Sequence, residues 1–242
     1  ETLDASGFSG NILATVAANN LDSTVTFTGG GTATDKVSNA VSTAATTYAL
    51  KSTGVELLDL DINVAGATTV SLAAATGVTG VSVDLAQNTT LITTTVSNVT
   101  DEVITLKAVN TTTAQHILAA SLVSATGTTD TIAFKMGAGT IAAGAKLKTD
   151  DVETVSINVA AAASLDLSLL AMTTAGKTMA LTTTGATALT VTALGTDVTS
   201  IDASGMGVGG SVSQTGRTST DAATYTGSAG ADTFMMLNKA DV

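Results

Sequence analysis

The 242-residue sequence contains no cysteine, no proline and no tryptophan. Without cysteine there is no disulfide, no thiolate metal site and no cysteine nucleophile. Aromatic residues are scarce, four Phe and two Tyr, so a core has to be built from small aliphatic layers and not from bulky anchors. Basic residues are few: nine Lys plus Arg stand against 20 Asp plus Glu, giving a net charge of −11 and a pI of about 4.1. That balance excludes the basic stripes with which proteins displace counterions from nucleic acid. No apolar run approaches the ~20 residues of a membrane-spanning helix. The longest candidate, 159–172, is interrupted by Ser164, Asp166 and Ser168. There is also no initiating Met and no basic-then-apolar leader, so the start at Glu1 reads as a slice of a longer chain.

What is present argues for a folded all-β chain. The hydrophobic fraction is 44% with only 12% charged residues, and the mean hydropathy is +0.42, which is not the composition of a disordered acidic segment. Thr makes up about a fifth of the residues, and with Val it favours strands through its branched β-carbon. Alternation of apolar and polar residues recurs at Val81-Ser82-Val83-Asp84-Leu85, Val103-Ile104-Thr105-Leu106-Lys107, Thr154-Val155-Ser156-Ile157-Asn158-Val159 and Leu189-Thr190-Val191-Thr192. Period two marks strands with one buried face. Turn signals such as Thr76-Gly77, Thr126-Gly127 and Thr184-Gly185 separate the bursts. Short strands at regular spacing predict a repeat architecture, a parallel β-solenoid, with stacked β-sandwich modules as the alternative. The Ala-rich stretch 160–163 suits a single helical turn.

An internal repeat supports the solenoid. At an offset of 198 residues Leu3-Asp4-Ala5-Ser6-Gly7 falls on Ile201-Asp202-Ala203-Ser204-Gly205, and without a gap Thr26-Phe27-Thr28-Gly29 falls on Thr224-Tyr225-Thr226-Gly227. The chain accordingly divides into a unit at 1–50, a central region at 51–198 and a second copy of the first unit at 199–242. Asp35-Lys36-Val37 and Asp232-Thr233-Phe234 follow the two glycines, and Glu56, Glu102 and Glu153 each stand just before a predicted strand.

Gly227-Ser228-Ala229-Gly230-Ala231-Asp232-Thr233-Phe234 follows the pattern Gly-Gly-x-Gly-x-Asp-x-apolar, with Ser228 as the one departure. Glycines let carbonyl oxygens converge and the Asp adds a carboxylate, an oxygen donor set suited to calcium. Gly227, Ala229, Gly230 and Asp232 are therefore candidate ligands. Asp35 behind Gly29-Gly30-Gly31 is a second candidate, and Asp130 in Gly127-Thr128-Thr129-Asp130-Thr131-Ile132 a third. Asp59 and Asp61, two residues apart on one strand face, could clamp an ion. Asp150-Asp151 reads as a turn before a strand, and Asp4 and Asp202 as side-chain caps of turns. Asp241 lies nine residues beyond Asp232 but lacks the preceding glycines.

These residues resemble the RTX-type calcium-binding repeats of secreted bacterial proteins. With the Thr- and Ala-rich, cysteine-free composition, the chain is similar to segments of bacterial surface-layer (S-layer) proteins that carry such repeats. The resemblance implies a non-enzymatic structural protein, extracellular on a bacterial surface, that binds calcium and associates with itself in a lattice. Cell-surface polysaccharide would be contacted through other segments; neither nucleic acid nor a membrane span is implied. The alternative is the stalk of a calcium-binding adhesin or another large repeat exoprotein. A β-helical polysaccharide lyase is disfavoured, because sugar clefts use aromatic platforms and basic residues that are scarce here. His116 is expected on a strand surface, since no Gly-x-Ser-x-Gly accompanies it for a hydrolytic triad. Gly205-Met206-Gly207-Val208-Gly209-Gly210 lacks the Lys of a phosphate-binding loop and reads as a flexible turn.

Overall fold

The computed structural model of the protein describes residues 1–22, 24–31, 34–43, 47–86, 90–109 and 116–242. These residues form strands and no helix. One parallel sheet holds ten strands in the order β1 (Thr2–Asp4), β3 (Thr26–Thr28), β5 (Thr47–Thr53), β7 (Gly66–Thr76), β9 (Ile92–Val99), β11 (Ile117–Leu122), β13 (Ala145–Asp150), β15 (Ala163–Ala171), β17 (Ala188–Leu194) and β19 (Ser211–Gln214). The other holds ten in the order β2 (Leu13–Val16), β4 (Lys36–Val41), β6 (Leu57–Ile62), β8 (Gly80–Leu85), β10 (Val103–Val109), β12 (Thr131–Met136), β14 (Thr154–Val159), β16 (Met179–Gly185), β18 (Val198–Met206) and β20 (Thr224–Thr226). The chain crosses from one sheet to the other at every turn, and each strand pairs with the strand two places later. This is a parallel β-solenoid with two strands per coil, not a stack of sandwich modules.

Period-two patterning is what closes the coil. In β8 the burial alternates so that Val81, Val83 and Leu85 face inward while Ser82 and Asp84 face out. Register then lines like residues into files. Val37, Leu58, Val81, Ile104, Phe134 and Ile157 are successive cross-strand partners along one sheet, and none is more than 1% exposed. Burying each such side chain is worth about 1.5–3 kcal/mol. The outer faces carry Thr, Ser, Asn, Lys and Asp. The Ala-rich stretch is no helical turn: Ala163 opens β15, and the interrupted apolar run 159–172 becomes a strand whose Leu165 and Leu167 are buried.

The 198-residue repeat has a structural meaning the sequence conceals. Its first copy lies on β1 and β3, its second on β18 and β20, in opposite sheets. Thr2, Leu3 and Asp4 pair with Thr26, Phe27 and Thr28, just as Ser200, Ile201 and Asp202 pair with Thr224, Tyr225 and Thr226. The repeating unit is thus the half-coil, and the two sheets are interchangeable. The boundaries drawn at 50 and 198 mark sequence repeats and not breaks in structure, since β5 runs through the first and β18 starts at the second.

Candidate functional site

A parallel strand starts with a backbone N–H that its neighbour's ladder does not reach, and a buried N–H without an acceptor costs about 1–3 kcal/mol. In this solenoid the residue just before a strand supplies the acceptor, and its side chain reaches the N–H of the equivalent residue one coil earlier. Asp35 Oδ1 accepts from Ile12 N at 2.8 Å, Glu56 Oε2 from Asp35 N at 2.7 Å, and Glu153 Oε2 from Asp130 N at 3.1 Å. Asp232 Oδ1 accepts from Val212 N at 2.7 Å, and Asp241 Oδ1 from Ala223 N at 2.9 Å. In each case the donor and the acceptor precede two residues that are neighbours across the ladder. The acidic residues noted before predicted strands are therefore coil-to-coil ties. Glu102 differs: its Oε2 caps its own turn, taking Thr100 N at 2.6 Å and Asp101 N at 3.2 Å.

The second carboxylate oxygen of these aspartates closes the Gly-rich turn. Asp35 Oδ2 takes Gly30 N at 2.6 Å, Asp130 Oδ2 takes Gly127 N at 3.0 Å, and Asp232 Oδ2 takes Ser228 N at 2.6 Å. Gly30 and Ser228 are related by the 198-residue repeat, so the departure from glycine leaves the tie intact. Ser228 Oγ lies 3.0 Å from both Asp232 oxygens and from the Gly210 carbonyl, and it accepts Gly230 N at 3.0 Å. Gly227 and Ala229 complete the exposed arc of the turn. Gly29 has to be glycine for a steric reason: a β-carbon there would lie 1.7 Å from the Gly54 carbonyl and 2.5 Å from Asp35 Oδ2.

These corners differ in what neutralises them. At the Asp130 corner the Lys177 ammonium sits 2.6 Å from Glu153 Oε1 and 2.6 Å from the Gly127 carbonyl, pairing with Glu153 and not with Asp130 itself. The hydrogen bond from Lys177 holds the Glu153 carboxyl below its usual range. Asp59 lies on the outer face of β6 between Lys36 at 2.8 Å and Lys107 at 2.9 Å. Burial pushes its carboxyl up, but the two lysine hydrogen bonds outweigh that and hold it low. Asp61 projects from the same face, more exposed, with Lys107 at 3.7 Å. Asp35 and Asp232 form no ion pair among the described residues. Backbone N–H groups are aimed at both carboxylates, Ile12 and Gly30 at Asp35, Val212 and Ser228 at Asp232. The Ser228 hydroxyl, 3.0 Å from both Asp232 oxygens, is the further oxygen that could join a carboxylate in holding a hard cation such as calcium. Carboxylate lone pairs outnumber the N–H groups they receive. Among the described residues no three His, Cys, Asp or Glu side chains converge.

Asp4 and Asp202 each accept the N–H two residues on, Oδ1 taking Ser6 N at 3.0 Å in a turn but Ser204 N at 2.9 Å at an irregularity within β18, so Asp202 is not the turn cap its sequence suggests. Asp151, with a left-handed φ of 56°, accepts Thr173 N at 2.7 Å and Thr174 N at 3.0 Å, while Asp150 faces Lys148 at 3.4 Å. Gly205 and Met206 are not a flexible turn but the end of β18; the turn follows and is closed by Gly210 N on the Gly207 carbonyl at 2.9 Å. His116 is not on the strand surface. It is 1% exposed, and Nδ1 accepts Ile92 N at 3.0 Å.

Sequence reasoning missed one pair, Arg217 and Asp241. Arg217 Nη1 lies 3.0 and 2.9 Å from the two Asp241 oxygens, with both side chains at most 1% exposed. Asp241 also accepts Leu237 N at 2.8 Å and Asn238 N at 2.9 Å. The nine-residue spacing from Asp232 was the available signal, since both aspartates tie back in the same way. Hydrogen bonds from the Asn238 and Ala223 amides and from Arg217 bring the Asp241 carboxyl down to about 2. Because the folded value lies below the unfolded one, the tie is intact above about pH 4 and is lost as pH falls towards 2. Protection of the Ala223 and Leu237 amides from hydrogen exchange, corrected for intrinsic rates, should fall over that window and stay level above it. Equal protection at pH 5 and pH 2 would remove Asp241 as their acceptor.

Compared with protein-family models, with curated proteins and with solved structures, the chain matches none. Among the described residues no helix is long and apolar enough to cross a membrane.

Proposed function

We propose that the chain is a structural segment of an extracellular, calcium-dependent bacterial surface layer, without catalytic activity of its own. The observation that carries this reading is the likeness of the Asp35 and Asp232 corners. Near opposite ends of the solenoid, a carboxylate accepts a backbone N–H of the Gly-rich stretch before it, Gly30 for Asp35 and Ser228 for Asp232, with no ion pair among the described residues, whereas the Asp130 and Asp241 corners hold a lysine and an arginine. Calcium at these two corners would be held by Asp35 and by Asp232 with carbonyls of the adjoining turns, and would supply positive charge to a chain carrying −11. Two ten-stranded parallel ladders also give the stiffness that a lattice element or a stalk needs. The stalk of a calcium-binding adhesin is the second reading, favoured by the same one-dimensional ladder.

At −11 copies repel one another until divalent ions bridge or neutralise their carboxylates. Light scattering is expected to rise in millimolar calcium and to fall back with chelator, and electron microscopy of the assembled material to show a two-dimensional lattice. Assembly that is equal with and without chelator removes calcium from the proposal. Filaments or monomers in calcium, without a lattice, favour the stalk.

A further inference from the structure

His116 belongs to the set of strand-entry ties. It precedes Ile117, whose ladder partner is Thr93, and its ring takes the N–H of Ile92, the residue before Thr93. Asp35, Glu56, Glu153, Asp232 and Asp241 make the same reach with a carboxylate. The backbone of His116 extends the tie in the other direction, its carbonyl accepting Lys146 N at 2.8 Å. One residue thus fastens β11 to β9 through its ring and to β13 through its backbone.

The chemistry of the acceptor sets it apart. A carboxylate keeps its lone pairs until about pH 4, whereas an imidazole takes up a proton near pH 6.5. An Nδ1 that accepts an N–H is unprotonated; once protonated, it presents a second N–H to Ile92 and the bond is lost. We infer that His116 is an acid-sensitive clasp, which releases the Ile92 tie at the start of the β9–β11 ladder in mild acid while the carboxylate ties stay closed. The titratable groups on the strands it ties together are few. β9 and β11 carry no titratable residue. β13 carries Lys146, Lys148 and Asp150, of which Lys146 is held by Asp166 of β15 and Lys148 faces Asp150 at 3.4 Å.

Sign and size follow from proton linkage. The open clasp binds one proton that the closed clasp does not, so opening becomes about tenfold more favourable for each pH unit below about 6.5. Hydrogen exchange read by NMR between pH 7.5 and 5, corrected for intrinsic rates, tests this on the intact chain. Protection of the Ile92 amide is expected to fall about tenfold per unit below pH 6.5, while the Asp35 amide, held by Glu56, stays level. In His116→Asn an amide oxygen stands at the place of Nδ1 and does not titrate, so the slope at Ile92 should vanish. An Ile92 amide as level as that of Asp35, or a slope that persists in His116→Asn, overturns the proposal. Should His116→Asn not fold, the ring nitrogen shifts of the unaltered protein decide: protonation in step with loss of Ile92 protection supports the clasp, and a ring that titrates while Ile92 stays protected sinks it.

Discussion

Phe134→Ala is expected to lower folding stability by about 4 kcal/mol, at the large end for a single core truncation. Phe134 is 1% exposed and stands in a file between Ile104 and Ile157, its ladder partners on either side. The cost of such a truncation depends on how far the surroundings collapse into the vacated space. Here collapse is opposed from both directions, because each neighbour is held in register by an unbroken parallel ladder. Its two neighbours in the file are β-branched isoleucines, whose side chains are stiff. The control is Phe8→Ala, which removes the same ring from a position 55% exposed and should change stability by no more than about 0.5 kcal/mol. Urea midpoints at unchanged slope measure both. A loss below about 1.5 kcal/mol for Phe134→Ala would mean that the coils can close over a vacancy and that the ladders are less rigid than their register implies.

The solenoid was legible because its signal is local and repeated. Val81, Val83 and Leu85, or Val155, Ile157 and Val159, declare a one-faced strand within six residues, and the 198-residue match declares that such units recur. What could not be read was the relation between units. An offset of 198 gives no indication that Asp4 and Asp202 lie in opposite sheets, because half-coils of unequal length hide the alternation.

The ties were half legible for the same reason. An acid before a strand was visible at Glu56 and Glu153, but its acceptor role needs a donor more than twenty residues away. His116 was misplaced because a lone histidine next to Ile117 carries no pattern of its own. Only when the ladder places it one residue before Thr93's partner does it join the acids. Arg217 and Asp241 are 24 residues apart and meet only when the last coil closes.

Asp35→Ala and Asp232→Ala separate two roles that one carboxylate can hold, a tie for backbone amides and a ligand for calcium. Asp35 is 1% exposed, and its removal takes the acceptor from the half-buried N–H groups of Ile12 and Gly30, at about 1–3 kcal/mol each. That loss, about 3 kcal/mol in all, should appear in chelator as well as in calcium. Asp232 is less buried and water can replace it at Ser228, but its removal strands the N–H of Val212, which is 0% exposed, so its loss in chelator should also be about 1–3 kcal/mol. Calcium that binds only the folded chain stabilises it by about 2.7 kcal/mol at a hundredfold excess over Kd. Asp232→Ala should erase most of that gain, since carbonyl and hydroxyl oxygens alone hold a dication without compensating charge. Asp35→Ala should reduce it more weakly, because its turn departs further from the glycine pattern. Thermal melts of both variants and the parent, each with calcium and with chelator, give the four differences needed. If calcium raises the melting temperature of Asp232→Ala as much as that of the parent, the C-terminal corner is a tie only, and the calcium reading loses the residue on which it chiefly rests.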